Sequence, residues 1–161
     1  MIRPVRAIKE ETRILGLDTC NPGLTVGVVT RGGLYLDGVI SIPTGPKGTM
    51  RDRARRIVNS AYFPELRAIM LHNPDDERDS RSLERMTDLP TIAISKDEPR
   101  HGRGYKVFDG KLGRLLVKTQ LELTILKKTV AVTWTFGRLP EPLRVAHLLA
   151  SLDFQIFRDK E

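Results

Sequence analysis

The chain has 161 residues of which 40% are hydrophobic, enough to bury one full core and too few for two. Its formal net charge of +7 points to a polyanionic partner. A single cysteine excludes a disulfide framework and agrees with a reducing, cytoplasmic setting, while no apolar run approaches a membrane span and the first residues carry no signal-peptide pattern.

Residues 1–11 are charged and unpatterned and read as a loose lead-in. Residues 13–18 are expected to form a buried strand ending on Asp18, with further strands at 24–30 and 34–42. Asn21-Pro22-Gly23 turns the first strand into the second, and Arg31-Gly32-Gly33 closes the second and third into an antiparallel hairpin. After a Pro- and Gly-rich loop, Thr49 is the expected N-cap of a helix over 50–62. That helix carries Arg51, Arg53, Arg55 and Arg56. Arg51 and Arg55 share one face and Arg53 and Arg56 another, so at least half are plain solvated surface. Residues 66–71 read as a fourth strand with His72 at its end. Asn73-Pro74-Asp75-Asp76 then opens a helix through Met86, and residues 91–95 are a fifth strand. Strand, helix and strand with short turns predict a right-handed parallel crossover.

Residues 97–114 mix Arg100, His101, Arg103, Lys106, Lys111 and Arg114 with prolines and glycines, and read as a basic loop with a short strand at 105–108. Residues 115–126 alternate as a strand does, yet they contain no breaker, and Leu112, Leu115 and Leu116 are spaced as on a helix. Both readings stand. Residues 129–136 are rich in β-branched and aromatic side chains and read as a strand. Pro142 suits the first position of a last helix, whose buried face carries Leu143, Ala146, Leu149 and Ala150. His147 lies close to that face. Residues 154–161 are expected to be a loose tail. There is no P-loop, Rossmann glycine pattern, zinc-finger spacing or nucleophile elbow, and Cys20 reads as a small buried thiol.

Three stretches say more than periodicity does. The run Arg138-Leu139-Pro140-Glu141-Pro142-Leu143-Arg144-Val145-Ala146-His147 resembles the C-terminal signature of the endonuclease V superfamily, and its Pro-Glu-Pro-Leu-Arg-x-Ala-His form is similar to the archaeal endonuclease dU family. The segment from Ile14 to Ile40 resembles the opening strands of the same family, and Leu89 to Lys96 resembles its lysine-bearing stretch after the fifth strand. The resemblance implies an α/β, ribonuclease H-like fold in a single domain over 1–161, with a mixed sheet of five or more strands and helices on both faces. It also implies a metal-dependent endonuclease acting on DNA, at deaminated bases such as deoxyuridine. The alternatives are a catalytically degenerate nucleic-acid-binding protein of this fold and an RNA-directed nuclease.

Carried over by position, the implied metal site is Asp18, Asp52, His72 and His147, and Lys96 is the catalytic cation that stabilises the phosphate. Arg100, Arg103 and Lys106 are the expected phosphate-tracking residues. His72 departs from the family pattern, which has an Asp at the end of this strand. Mg²⁺ or Mn²⁺ is the implied cofactor, and the pair of imidazoles opens the site to Zn²⁺. Asp75 and Asp76 stand close enough in sequence to substitute. Asp52 has an ordinary explanation as well, since acids in a first helical turn suit the helix dipole. Ser41-Ile42-Pro43-Thr44 stands where endonuclease V has an aromatic wedge, so lesion recognition of that kind is not expected. Arg138 and Arg144 either contact nucleic acid or brace the loop at Glu141, and the structural role is favoured.

Overall fold

The computed structural model describes residues 2–5, 7–44, 48–72, 74, 78–97 and 104–158, the last six by their backbone alone. Strands β1 (Arg13–Asn21), β2 (Leu24–Arg31) and β3 (Tyr35–Pro43) follow one another as antiparallel neighbours. Gly32, at φ 55°, makes the tight turn between β2 and β3, a left-handed conformation that glycine adopts without strain. Helix α1 (Met50–Val58) leads through a 3₁₀ turn at Phe63–Glu65 to β4 (Ala68–His72), which pairs parallel to β1. Helix α2 (Asp79–Thr87) then returns the chain to β5 (Thr91–Ser95), parallel to β4. The hairpin of β6 (Lys106–Gly110) and β7 (Gly113–Lys118) adds antiparallel to β5. Helices α3 (Leu123–Thr133) and α4 (Glu141–Arg158) complete the chain. The result is one mixed sheet of seven strands in the order β3-β2-β1-β4-β5-β7-β6.

Strand alternation divides the core between the two faces of that sheet. Leu15 and Leu17 of β1 with Ile69 and Leu71 of β4 face α1 and α2, and pack on Ala54, Ile57 and Leu83. Ile14, Met70, Ile92 and Ile94 point the other way, toward Leu126 and Val130 of α3 and Leu143 of α4. Ala146 and Ala150 of α4 seat on Val26 and Val28 of β2. Helices on both faces and five or more strands are as expected for an α/β, ribonuclease H-like fold.

Several local expectations need correcting. Helix α1 stops at Val58 rather than continuing to Tyr62, because Asn59 caps it and Pro64 sits in the 3₁₀ turn beyond. The ambiguous stretch 115–126 is partly both: β7 ends at Lys118, and α3 begins at Leu123. Thr119 makes the break, its Oγ1 donating to the Thr91 carbonyl and accepting from the Leu121 N–H. Residues 129–136 are not a strand, since α3 runs through Thr133. The hydroxyls of Thr129 and Thr133 each donate to the carbonyl four residues earlier, at 2.7 and 2.6 Å, which satisfies these buried polar groups within the helix. The basic loop contributes a full hairpin where only a short strand is predicted. Helix α4 extends through residues 154–158.

Candidate metal centre

β1, β4 and β5 run parallel, so their C-terminal ends lie on one edge of the sheet, where α/β folds place ligands. Asp18 and His72 are register partners across β1 and β4 at this edge. Both side chains leave the face that α4 covers. Gly16, two residues before Asp18, explains how the helix comes so close. A Cβ built there would lie 2.4 Å from the carbonyl carbon of Pro142 and 2.8 Å from the Leu143 nitrogen. Backbone therefore rests directly on backbone, and α4 carries His147 over the end of β1.

The Asp18 side chain is fully buried. Its Oδ2 lies 3.1 Å from His72 Nδ1 and 2.9 Å from His147 Nδ1, and the two rings meet edge to face with centroids 5.2 Å apart. Its Oδ1 accepts the Cys20 backbone N–H at 2.9 Å. Burial opposes the charge on Asp18. The bonds from His72, from the thiol and backbone of Cys20 and from His147 outweigh it and hold the carboxyl well below the ordinary carboxylate range. Asp18 is thus a buried anion compensated on every side. His147 keeps 41% of its side-chain surface exposed against 14% for His72, so the outer imidazole faces solvent.

Among the described residues, one set of potential ligand atoms comes together with every pair within 4.8 Å, and it comprises Asp18, Cys20 and His147. His72 stands outside that set while contacting the same carboxylate oxygen. Cys20 is exposed, not the buried thiol its letter suggests. Desolvation and the neighbouring Asp18 push its thiol up to about 12. The signal in the sequence that points to Cys20 is its place only two residues after Asp18.

Asp52 does not join this cluster. It is exposed in the first turn of α1, on the opposite face of the sheet, and its carboxylate closes a capping box with Thr49. Oδ2 accepts from the Thr49 N–H at 3.1 Å and from its hydroxyl at 2.9 Å. Lys96 is exposed, one residue past the end of β5 and two beyond Ile94, the register partner of His72. Lys106 is exposed at the start of β6. Arg100, Arg103, Asp75 and Asp76 lie outside the described residues. Arg144 braces Glu141 by two bonds of 2.7 and 2.6 Å, as expected, and its guanidinium lies 5.4 Å from the centre of the Phe136 ring.

No protein-family model matches the chain. Among curated proteins, a UPF0215 protein of Methanopyrus kandleri is 30% identical over 184 aligned residues, covering 91% of this chain and 93% of that protein. A UPF0215 protein of Methanosarcina acetivorans is also 30% identical, covering 89% and 91%. Among solved structures, a protein of unknown function from Archaeoglobus fulgidus superposes with a TM-score of 0.69 at 21% identity, over 87% of this chain and 96% of that one. Human endonuclease V superposes with a TM-score of 0.70 at 14% identity, over 96% and 89%.

Proposed function

Because the chain belongs to the UPF0215 family and has the fold of endonuclease V, we propose that it is a metal-dependent endonuclease that cuts DNA, with deaminated bases such as deoxyuridine as its targets. The observation that carries this reading is the charged, fully buried Asp18 held between two imidazoles at the ligand-binding edge of the sheet. Burying a carboxylate is costly even when it is well bonded, and its partners here are imidazoles and a thiol, groups that also ligate metals.

The donors decide which ion fits. Mg²⁺ favours near-octahedral oxygen ligation, and this cluster offers one carboxylate beside nitrogen and sulfur. Mn²⁺, Co²⁺ or Zn²⁺ suits carboxylate with imidazole. Asp18 and His147 would hold the ion. When bound, it supplies a Lewis acid that polarises a phosphoryl oxygen and acidifies water. His72 contacts the same Asp18 oxygen, fixes the carboxylate's orientation and keeps a second ring nitrogen for proton transfer. Lys96, at the neighbouring strand end, meets the negative charge of the scissile phosphate.

The test is strand nicking of duplexes with a single deoxyuridine or deoxyinosine, beside matched undamaged DNA and RNA, under Mg²⁺, Mn²⁺, Co²⁺ and Zn²⁺. We expect cleavage next to the deaminated base with a transition metal. Asp18→Ala should reduce it by about a hundredfold or more, since even outer-shell partners of metal ligands are worth up to that much. A second reading, a binding protein without turnover, draws on the engagement of Asp52 in its helix cap, which leaves one carboxylate in the cluster. Tight binding with no cleavage under any metal, unchanged by Asp18→Ala, would establish that reading instead. Preferential cutting of RNA would change the substrate and leave the chemistry standing.

A further inference from the structure

We infer that Cys20 is itself a metal ligand, and that the ion held by Asp18, Cys20 and His147 is a thiophilic one of the Zn²⁺ type. The inference rests on the metal-centre reading above and goes further by naming a sulfur donor and the ion class it selects.

Position comes first. Asp18 and Cys20 are two residues apart at the end of β1, and the β1–β2 ladder loses its regular register between Asp18 and Asn21. At this irregularity the Cys20 N–H turns back to the Asp18 carboxylate, 2.9 Å away. The same bond that anchors Asp18 therefore draws the thiol over it. His147 is carried to the same carboxylate by α4. One potential ligand atom from each of the three lies within 4.8 Å of the other two. A tetrahedral ion with bonds of about 2.0–2.3 Å needs these atoms about 3.3–3.7 Å apart, so small side-chain adjustments suffice.

Donor chemistry selects the ion. A thiol contributes nothing to Mg²⁺, whereas one sulfur, one imidazole and one carboxylate form a borderline-to-soft set suited to Zn²⁺ or Co²⁺. Three protein ligands leave a fourth position for water or substrate, the arrangement of a catalytic rather than a structural zinc site. Access agrees with that assignment. Cys20 is exposed and His147 keeps much of its surface in solvent, so the ion would meet the outside on this side. His72 completes the centre without ligating, by holding the Asp18 oxygen.

The chain contains one cysteine, which makes the test unambiguous. Co²⁺ is titrated into the full-length, metal-free protein under a non-thiol reductant, and the near-ultraviolet thiolate-to-cobalt charge-transfer band is followed beside the visible bands of tetrahedral cobalt. Wild type should show both, with one equivalent bound. Zn²⁺ should abolish them stoichiometrically, and Mg²⁺ in hundredfold excess should not. Cys20→Ser should lose the charge-transfer band and weaken Zn²⁺ binding by about tenfold or more, with an unchanged thermal unfolding midpoint in the absence of metal. Cys20→Asp should recover Zn²⁺ affinity without the band, which separates ligation from folding. Cobalt binding without the band, or a band that survives Cys20→Ser, overturns the inference. Nicking activity in such a protein would leave the nuclease reading intact. Absence of any cobalt or zinc binding, with a folded chain, overturns both.

Discussion

Two aspartates show how this chain keeps carboxylates charged in confined places, and only one of them faces the candidate site. Asp18 is enclosed by imidazoles and a thiol, while Asp37 is enclosed by guanidinium groups. Asp37 is the extra residue where the β2–β3 register shifts, between Gly38 opposite Val29 and Leu36 opposite Thr30. Its two oxygens accept from Arg13 Nε at 2.8 Å and Arg31 Nε at 2.9 Å, tying three strands together. Burial raises the Asp37 pKa, but these bonds and charges outweigh it and lower the value from 3.8. A depressed folded-state pKa gives stability that is present above the unfolded pKa and lost as pH falls through the folded one. Asp37→Asn should therefore be less stable at neutral pH, and its unfolding free energy should fall less steeply than wild type below about pH 4. Denaturant titrations at stepped pH check this; parallel curves would show that the clamp is not charge-dependent. At this scale the sequence was partly legible. Asp18, His72 and His147 stand at element positions that letters alone suggest, and the fold brings them together. Cys20 is not legible from residue type, because a small thiol is ordinarily buried and this one is exposed beside Asp18. Asp52 illustrates the reverse: Thr-x-x-Asp just before a helical run already spells a capping box, and that is the bond its carboxylate makes.

Among the elements, α4 has the most specific seat. Its first turn lies against Gly16 so closely that an added methyl would meet the Pro142 carbonyl oxygen at 2.5 Å. Backbone cannot yield as the end of a side chain can. Gly16→Ala should cost about 1–3 kcal/mol as an overpacking substitution, and by lifting α4 it should also separate His147 from Asp18. Thermal unfolding and cobalt affinity measured together check this. Destabilisation with unaltered cobalt binding would mean that the helix shifts without carrying the imidazole. The first five strands, α1 and α4 were readable from turn residues, caps and apolar spacing, because each signal is local. Helix α3 was not. Its Thr and Val residues favour a strand intrinsically, and the burial of Leu126 and Val130 against β5 and β7 overrides that preference. The Thr119 break, made by a hydroxyl reaching a carbonyl on another strand, was likewise invisible in a linear reading.

For the molecule as a whole, the net charge of +7 is unevenly available. Arg13 and Arg31 are occupied by Asp37, Arg114 by Asp109 and Arg144 by Glu141, while Arg53 and Arg56 reach Thr25 and the Ser41 carbonyl. Among the described residues, Lys96, Lys106, Lys111, Lys127 and Lys128 are exposed and available to a polyanion. None of the described helices is long and apolar enough to cross a membrane. If duplex DNA is the partner, the logarithm of affinity should fall linearly with the logarithm of salt, by about 0.9 for each phosphate contacted. Lys96→Gln should reduce that slope by about 1. Filter binding from 50 to 200 mM salt (about the range in which such contacts dominate) measures it, and a flat response would remove nucleic acid as the ligand. The seat of α4 on Gly16 has a temporal counterpart. A ribosome releases β1, with Asp18 and Cys20, long before it makes residue 147, so a nascent chain owns the strand half of the cluster and lacks the His147 imidazole. If the cluster binds a cation as proposed, capture waits until α4 is made, and by linkage each would favour the other: the ion would fasten that helix, and the fastened helix would retain the ion.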